Sequence, residues 1–94
     1  MAIKSIRHRG LLRLYEDQST RGIDSRHANK LLDMLLAIDN ATDVSDTEVR
    51  PGWRLHPLSG DLNGFWSLTV TGNQRLIFRF EDENAYELDL IDYH

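Results

Sequence analysis

Four short stretches of alternating apolar and polar side chains in the C-terminal half of the chain constrain the fold more than any other feature. They cover residues 53–56, 65–70, 75–80 and 85–90. Alternation with a period of two is typical of strands that bury one face. Gly72 and Asn73 tolerate the positive φ of a two-residue hairpin turn, and residues 81–84 form a second turn. The pattern therefore predicts an antiparallel sheet.

The alternation also divides the strand residues between two faces, because neighbours along a strand point to opposite sides. The predominantly apolar set is predicted to cover the helices: Trp66, Leu68, Val70, Leu76, Phe78, Phe80, Tyr86, Leu88 and Leu90. The other face is predicted to be open and polar, and it carries His56, Ser67, Thr69, Arg75, Arg79, Asp89 and Tyr93.

The N-terminal half predicts a short first strand near Ile3 and Ile6, followed by two helices. The first helix covers residues 10–15, and the second begins after a cap at Asp24 or Ser25. The apolar residues of the second helix recur at spacings of three and four, which indicates one buried stripe. The stripe consists of Ala28, Leu31, Leu32, Leu35, Leu36 and Ile38. We predict an α+β domain over residues 1–94, with two N-terminal helices packed on one face of a small antiparallel sheet.

The composition restricts the chemistry open to this chain. It has no cysteine, which excludes disulfides, thiol nucleophiles and thiolate metal sites and fits a reducing cytoplasm. No apolar run approaches the roughly 20 residues that span a bilayer, so we expect a cytoplasmic protein without a membrane partner. The four histidines form no metal-ligand pair at helical or alternate spacing, and no glycine-rich nucleotide loop is present. An enzyme of this sequence is expected to work without a metal or a cofactor.

The charge is distributed unevenly along the chain. The formal net charge is −4, which argues against simple electrostatic capture of a nucleic acid. Residues 1–30 nevertheless carry seven basic and three acidic side chains, and the remainder carries four basic and twelve acidic ones. The basic half can face a polyanion, although solvated helix faces are the more common explanation for such a cluster.

Three groups of residues could carry proton transfer or bind phosphate. His56 lies where a strand runs into a turn, Arg75 and Arg79 share one face of a strand, and the chain ends in polar, proton-capable residues 92–94. Each group taken alone is also compatible with an ordinary surface role. Histidine titrates near neutrality, and the planar guanidinium of arginine matches phosphate oxygens, so together these residue types suit metal-free cleavage of RNA.

Several motifs resemble the HigB group of toxins in the RelE/ParE superfamily, over essentially the whole chain. The motifs are the segments IKSI at residues 3–6, RLHPLSGD at 54–61, GFWSLTV at 64–70, NQRLIF at 73–78 and IDYH at 91–94. The resemblance implies a RelE/ParE-like fold with a twisted sheet, and ribosome-dependent cleavage of mRNA that inhibits translation. It also implies neutralisation by a HigA-like helix-turn-helix antitoxin, through which alone operator DNA would be contacted.

The resemblance also implies roles for individual residues. The positions that match the group's functional residues are His56, Arg75, Asp92, Tyr93 and His94. His56 and His94 are expected to handle protons, with the choice of acid and base left open. Arg75 is expected to hold the phosphate, and Asp92 and Tyr93 to orient groups or stack on a base. Arg79 and Ser59 are candidate RNA contacts, and Ser59 stands where the group often has lysine.

Two other functions remain open at this point. A ParE-like inhibitor of DNA gyrase shares the fold, but it has no need of proton-transfer groups such as His56 and His94 on the sheet. A weak or inactivated nuclease that serves as a binding module is compatible with Ser59 and with the acidic net charge.

Overall fold

The computed structural model describes residues 2–92, which form two α-helices and a four-stranded antiparallel sheet. The helices are α1 (Arg9–Asp17) and α2 (Ala28–Asn40). The strands are β1 (His56–Pro57), β2 (Phe65–Thr69), β3 (Gln74–Glu81) and β4 (Asn84–Asp92), in spatial order β1-β2-β3-β4. Short 3₁₀ turns occupy Ser25–His27, Val44–Thr47, Pro51–Trp53 and Gly60–Leu62. The predicted α+β class and antiparallel sheet are confirmed.

Both predicted hairpins are present, but the first differs in its turn. Between β2 and β3, the backbone N–H of Val70 donates to the carbonyl of Gln74 at 2.9 Å, so the turn has three residues (71–73) where two were predicted, and neither Gly72 nor Asn73 has a positive φ. Between β3 and β4, Asp82 and Glu83 take φ values of 51° and 66°. Two successive positive φ angles give the type I′ geometry that matches the twist of the flanking strands.

The helices begin and end at recognisable signals. The His8 ring accepts a hydrogen bond from the Leu11 backbone N–H at 3.2 Å, and Gln18 ends α1 in the left-handed conformation. Asp24 was predicted to cap the second helix and does accept from the Arg26 backbone N–H at 3.0 Å, but α2 itself begins after His27, which gives no capping hydrogen bond. Asp24 caps the 3₁₀ turn Ser25–His27, and α2 follows directly from that turn.

Both helices contribute to a buried cluster that also contains side chains of the sheet. The helix members are Leu11, Leu14, Leu31, Met34, Leu35 and Ile38, and the sheet members include Leu68, Leu76, Phe78, Ala85 and Leu88. The predicted stripe of α2 was wrong at Leu36, whose side chain is 51% exposed, and it omitted the fully buried Met34. Successive residues of a helix are rotated by 100°, so Met34 lies nearer than Leu36 to the centre of the stripe that Leu31, Leu35 and Ile38 define.

The predicted first strand is an extended segment that runs parallel to β4. Ile3 bridges to Ala85 and Ile6 to Leu88. The Lys4 backbone N–H donates to the Ala85 carbonyl at 2.7 Å, and the Ala85 N–H donates to the Ala2 carbonyl at 3.0 Å. The N-terminal segment therefore covers the edge of β4 that β3 leaves unpaired.

A β-bulge in β4 changes the predicted face of Tyr86. The register shifts between Ile77 and Arg79 of β3, and Glu87 in β4 takes a φ of 55°. Beyond the bulge Tyr86 pairs with Arg79, and the fully buried residue of that stretch is Ala85. The assignment of Tyr86 to the helix side was wrong. An extra residue in one strand shifts the alternation by one position, so the residues before and after the bulge do not follow one continuous pattern.

The predicted strand over residues 53–56 is mostly replaced by a turn. Pro51–Trp53 forms a 3₁₀ turn with proline at its start, and Arg54 follows at a φ of 49°. Strand pairing begins only at His56, opposite Ser67. Trp53 is buried within the core cluster, so its apolar character reflects packing in a turn.

Candidate functional site

The sheet face turned away from the helices, here called the outer face, carries His56 and Arg75. In the register, His56 pairs with Ser67, Ser67 pairs with Ile77, and Arg75 pairs with Thr69. Directly opposed residues share a face, and so do residues two apart along a strand. His56 and Arg75 therefore lie on the same face, as the alternation predicts. They are two strands and two residues apart, which corresponds to a Cα separation of roughly 12 Å.

The outer face is less open than predicted. Phe65, Ser67 and Ile77 all lie on it, and all three are buried. The polar side chains are grouped around this buried patch, with His56 exposed and Arg75, Arg79 and Thr69 half-buried. The alternation was correct for the direction of these side chains but could not show which of them are covered.

His56 lies at the edge of this patch, at the start of the two-residue strand β1. Its Nδ1 lies 3.3 Å from the carbonyl oxygen of Arg54. That distance is long for an N–H···O hydrogen bond, whose usual length is near 2.9–3.0 Å. The left-handed backbone at Arg54 is what turns the chain from the Pro51–Trp53 turn into β1.

Arg75 is held by the hairpin that joins β2 and β3. Its Nη1 donates to the carbonyl oxygens of Thr71 at 2.8 Å, Gln74 at 3.1 Å and Gly72 at 3.3 Å. One guanidinium nitrogen is thus fixed by the backbone of the turn, which restricts the orientation of the whole planar group. A fixed cation of this kind suits the recognition of a phosphate.

Arg79 is held by three neighbours on the outer face. Its Nε contacts the Glu87 carboxylate at 3.0 Å, and its Cζ lies 4.6 Å from the centre of the Phe65 ring. A Cβ on Gly64 would lie 2.8 Å from Nη1 of Arg79, so the absence of a side chain there makes room for the guanidinium. Sequence reasoning proposed Arg79 as an RNA contact but missed Glu87, because the bulge that brings Glu87 to Arg79 leaves no signal in the alternation.

The remaining predicted site residues are placed as follows. Ser59 is exposed and precedes the Gly60–Leu62 turn, to which its side chain gives no capping hydrogen bond. Asp92 is exposed and pairs with Gln74, so it lies on the face opposite to that of Arg75. Tyr93 and His94 lie outside the described residues.

Within residues 2–92, no group of three or more histidine, aspartate or glutamate side chains could together hold a metal ion. No helix in this part of the chain is both long and apolar enough to cross a lipid bilayer. A surface groove lined by Lys30, Asp33, Arg50, Gly52 and Trp53 contains none of the predicted site residues.

Comparison with known proteins identifies related sequences over nearly the whole chain. The family model described as "RelE-like toxin of type II toxin-antitoxin system HigB" matches residues 4–94. Endoribonuclease HigB of Proteus vulgaris is 42% identical over 92 residues, which cover 98% of this chain and 99% of that protein. Toxin HigB-1 of Vibrio cholerae serotype O1 is 38% identical over 73 residues, or 77% of each chain.

Solved structures with low sequence identity share the fold. The YoeB-YefM complex from Staphylococcus aureus contains a chain that matches with a TM-score of 0.62 at 14% identity, covering 100% of this chain and 99% of that one. YafQ from E. coli strain BL21(DE3) matches with a TM-score of 0.57 at 15% identity, covering 96% and 92%. The toxin-antitoxin complex RelBE2 from Mycobacterium tuberculosis matches with a TM-score of 0.54 at 17% identity, covering 97% and 95%.

Proposed function

The chain belongs to the HigB-like family of RelE-like toxins of type II toxin–antitoxin systems, and from this membership we propose that it is an endoribonuclease that cleaves mRNA and so inhibits translation. The observation that carries the proposal is the 42% identity to Endoribonuclease HigB of Proteus vulgaris across 98% of this chain. The position of His56 and Arg75 on one face of the sheet also supports it.

The proposed substrate is mRNA that is already bound to the ribosome. The formal net charge is −4, and Ser59, on the loop that follows β1, carries no positive charge. The affinity of a protein for free RNA grows with each phosphate that it neutralises, so this chain is expected to bind free RNA weakly. On the ribosome the mRNA is held in place, and orientation by the larger complex replaces the binding energy that the toxin lacks.

The proposed chemistry needs a base, an acid and a fixed cation, and no metal. The base takes the proton of a ribose 2′-hydroxyl, whose oxygen attacks the adjacent phosphorus, and the acid gives a proton to the 5′-oxygen as its bond to phosphorus breaks. We assign these proton transfers to His56 and His94. We propose that Arg75 stabilises the negative charge that develops on the phosphate oxygens. Tyr93 is proposed to orient these groups or to stack on a base, and Asp92, which lies on the face opposite to that of Arg75, is proposed to do so only from the exposed end of β4.

Two further residues are proposed to contact the RNA backbone. The Cζ of Arg79 already lies over the Phe65 ring, 4.6 Å from its centre, and Ser59 is exposed on the loop that leaves β1. An arginine held in one orientation loses less conformational freedom when it binds a phosphate.

The proposed partner is a HigA-like helix-turn-helix antitoxin that keeps the toxin silent and connects it to operator DNA. Membership of a type II toxin–antitoxin family supports an antitoxin partner. Similar folds from Staphylococcus aureus and Mycobacterium tuberculosis occur in the YoeB-YefM and RelBE2 toxin-antitoxin complexes. We expect the antitoxin to leave the outer face partly uncovered or to fill it with an acidic segment, and we expect the basic residues 1–30 to offer the other docking surface. Co-purification with the helix-turn-helix protein of the neighbouring reading frame tests this partner.

An in vitro translation assay with mapping of mRNA 5′ ends tests the activity. The wild-type protein should cleave within translated regions, and it should do so after chelator dialysis that strips bound transition metals. Arg75→Ala should lower the rate about a hundredfold, or by about 3 kcal/mol, as expected for the loss of one donor to a developing anion. His94→Ala should lower it as well. Arg21→Ala is the matched control, because it removes an exposed arginine of the loop after α1.

Four outcomes would contradict parts of the proposal. Equal cleavage of free and ribosome-bound RNA would contradict ribosome dependence, and full activity of Arg75→Ala and His94→Ala would contradict the site. Loss of activity after chelator dialysis, restored by a metal, would contradict the metal-free chemistry. Inhibition of DNA supercoiling by gyrase without any RNA cleavage would replace the proposal with the ParE-like function.

A further inference from the structure

Ser67 carries a hydroxyl group that the fold does not use. Its side chain is fully buried at the centre of β2, on the outer face. Its Oγ is the one buried side-chain oxygen or nitrogen within residues 2–92 that lacks a hydrogen-bond partner. An unsatisfied buried hydroxyl costs about 1–3 kcal/mol, and an alanine in the same place would avoid that cost. The hydroxyl therefore gives no evident benefit to stability.

Ser67 has two cross-strand neighbours, the apolar Ile77 on β3 and His56 on β1. The backbone N–H of Leu58 donates to the Phe65 carbonyl at 2.9 Å, which makes residues 58 and 65 a hydrogen-bonded pair of the antiparallel ladder. Pairs of the same type recur every second residue, so His56 and Ser67 are also such a pair. The Cβ atoms of directly opposed residues lie about 4.5–5.5 Å apart.

This spacing brings the two side chains within hydrogen-bonding reach. Oγ is one bond from Cβ in serine, and Nδ1 is two bonds from Cβ in histidine. A rotation about the χ angles of His56 and Ser67 is therefore enough to place Nδ1 about 2.9 Å from Oγ. The competing acceptor for Nδ1 is the Arg54 carbonyl, at the longer distance of 3.3 Å and in an exposed position.

We propose that Ser67 is a positioning residue for His56, whose Nδ1–H donates a hydrogen bond to the buried Ser67 hydroxyl oxygen. This bond holds the imidazole in one rotamer and one tautomer. With Nδ1 protonated, Nε2 of the neutral ring carries the lone pair and is the nitrogen that exchanges a proton with the substrate. The inference rests on the proposed function, in which His56 handles a proton.

The tautomer of His56 can be measured in the free protein, independently of any cleavage. Nitrogen-15 chemical shifts of the imidazole distinguish the Nδ1–H from the Nε2–H form. In Ser67→Ala, the Nδ1–H fraction of neutral His56 should fall, because only the long contact to Arg54 remains. Thr69→Ala is the matched control: it removes a hydroxyl from the same face of the same strand, but its cross-strand neighbour is Arg75. It should leave the His56 tautomer unchanged.

Measurements of the stability and the cleavage activity of Ser67→Ala distinguish a positioning role of Ser67 from a structural one. Ser67→Ala loses the proposed bond but also avoids the cost of burying a hydroxyl group, so it should unfold at about the same denaturant concentration as the wild type. Ribosome-dependent cleavage should nevertheless fall about tenfold, a part of the roughly 10²–10⁴-fold that proton transfer contributes. If Ser67→Ala does not fold, Ser67→Cys, whose sulfur is a weak acceptor, should shift the tautomer in the same direction.

An unchanged His56 tautomer in a folded Ser67 variant overturns the proposal, as does full cleavage activity in Ser67→Ala. If the wild-type protein proves not to cleave RNA, the proposed function fails while the tautomer measurement still decides whether Ser67 holds His56.

Discussion

Asp39 connects three parts of the structure, and its replacement by alanine should destabilise the fold measurably. Its Oδ1 accepts hydrogen bonds from the Ile3 backbone N–H and from the Tyr15 hydroxyl, each at 3.1 Å. Hydrogen bonds to a charged group contribute about 1.5–3 kcal/mol each when buried. These bonds are only partly buried, so we expect Asp39→Ala to cost about 2 kcal/mol in total. For a domain of this size that corresponds to a fall in Tm of roughly 8–16 °C.

Urea and thermal unfolding followed by the fluorescence of the buried Trp53 measure this loss. Asp33→Ala is the control, because Asp33 is an exposed residue of the same helix, and its side chain makes no hydrogen bond or ion pair to another residue within 2–92. Like Asp39→Ala, this variant replaces an aspartate of α2 by alanine, and it should change the free energy of unfolding by less than about 0.5 kcal/mol. Asp39→Asn keeps an acceptor oxygen without the charge, so its loss of stability should lie between those of Asp33→Ala and Asp39→Ala. Equal stability of Asp39→Ala and Asp33→Ala would refute the reasoning.

The hydrogen bond between Tyr15 and Asp39 is expected to make the stability of the fold depend on pH. Burial raises the pKa of Tyr15 above 10.0, and the hydrogen bond and charge of Asp39 raise it further. A raised pKa in the folded state adds stability that is complete below the unfolded pKa and is lost as the pH rises through the folded value. The contribution of Tyr15 is therefore expected to be full at pH 7 and to decline above about pH 10. Tyrosinate absorbance in the wild type and Tyr15→Phe measures this titration, and a Tyr15 that ionises at or below pH 10 would contradict it.

Three further changes test the outer face and its surroundings. Gly64→Ala places a Cβ 2.8 Å from Nη1 of Arg79 at a φ of +95°, so it should lower the free energy of unfolding by about 1–3 kcal/mol; an unchanged urea midpoint would contradict this. Glu87→Gln removes the carboxylate 3.0 Å from Nε of Arg79, so single-stranded RNA should bind a few times more tightly at low salt. Glu83→Gln is an equal charge change in an exposed turn and should have a smaller effect on RNA binding. Equal effects would contradict the idea that the Glu87 carboxylate competes with RNA for Arg79. Ser59→Lys should steepen the dependence of log Kd on log salt by about 0.7, as expected for one added phosphate contact on a single strand, and an unchanged slope would show that this position makes none.

The sequence predicted those parts of the fold that depend on local signals. The locations of both hairpins, the strands between them and the cap at Asp24 follow from the preferences of a few adjacent residues, although the turn between β2 and β3 has three residues where two were predicted. The same alternation placed His56 and Arg75 on one face although they lie 19 positions apart in the chain.

The errors arise where contacts distant in sequence decide the structure. Tyr86 changed face because of the bulge at Glu87, whose backbone N–H donates to the Ser5 hydroxyl at 2.8 Å across 82 positions. Trp53 was assigned to a strand because its burial in a turn depends on packing against the core. The fixation of Arg79 by Glu87 and the unpartnered hydroxyl of Ser67 also depend on register, which only the assembled sheet determines.

The N-terminal segment that runs beside β4 has a consequence for the order of events during synthesis. The Ala2 backbone N–H donates to the side chain of Asn84 at 3.1 Å, across 82 positions. At a translation rate of about 5–20 residues per second, the first residues emerge on the order of 4–16 s before their partner strand exists. Contacts between such distant segments also form late, since the intervening chain must first be brought together. A nascent chain therefore cannot complete this sheet while β4 is still inside the ribosome.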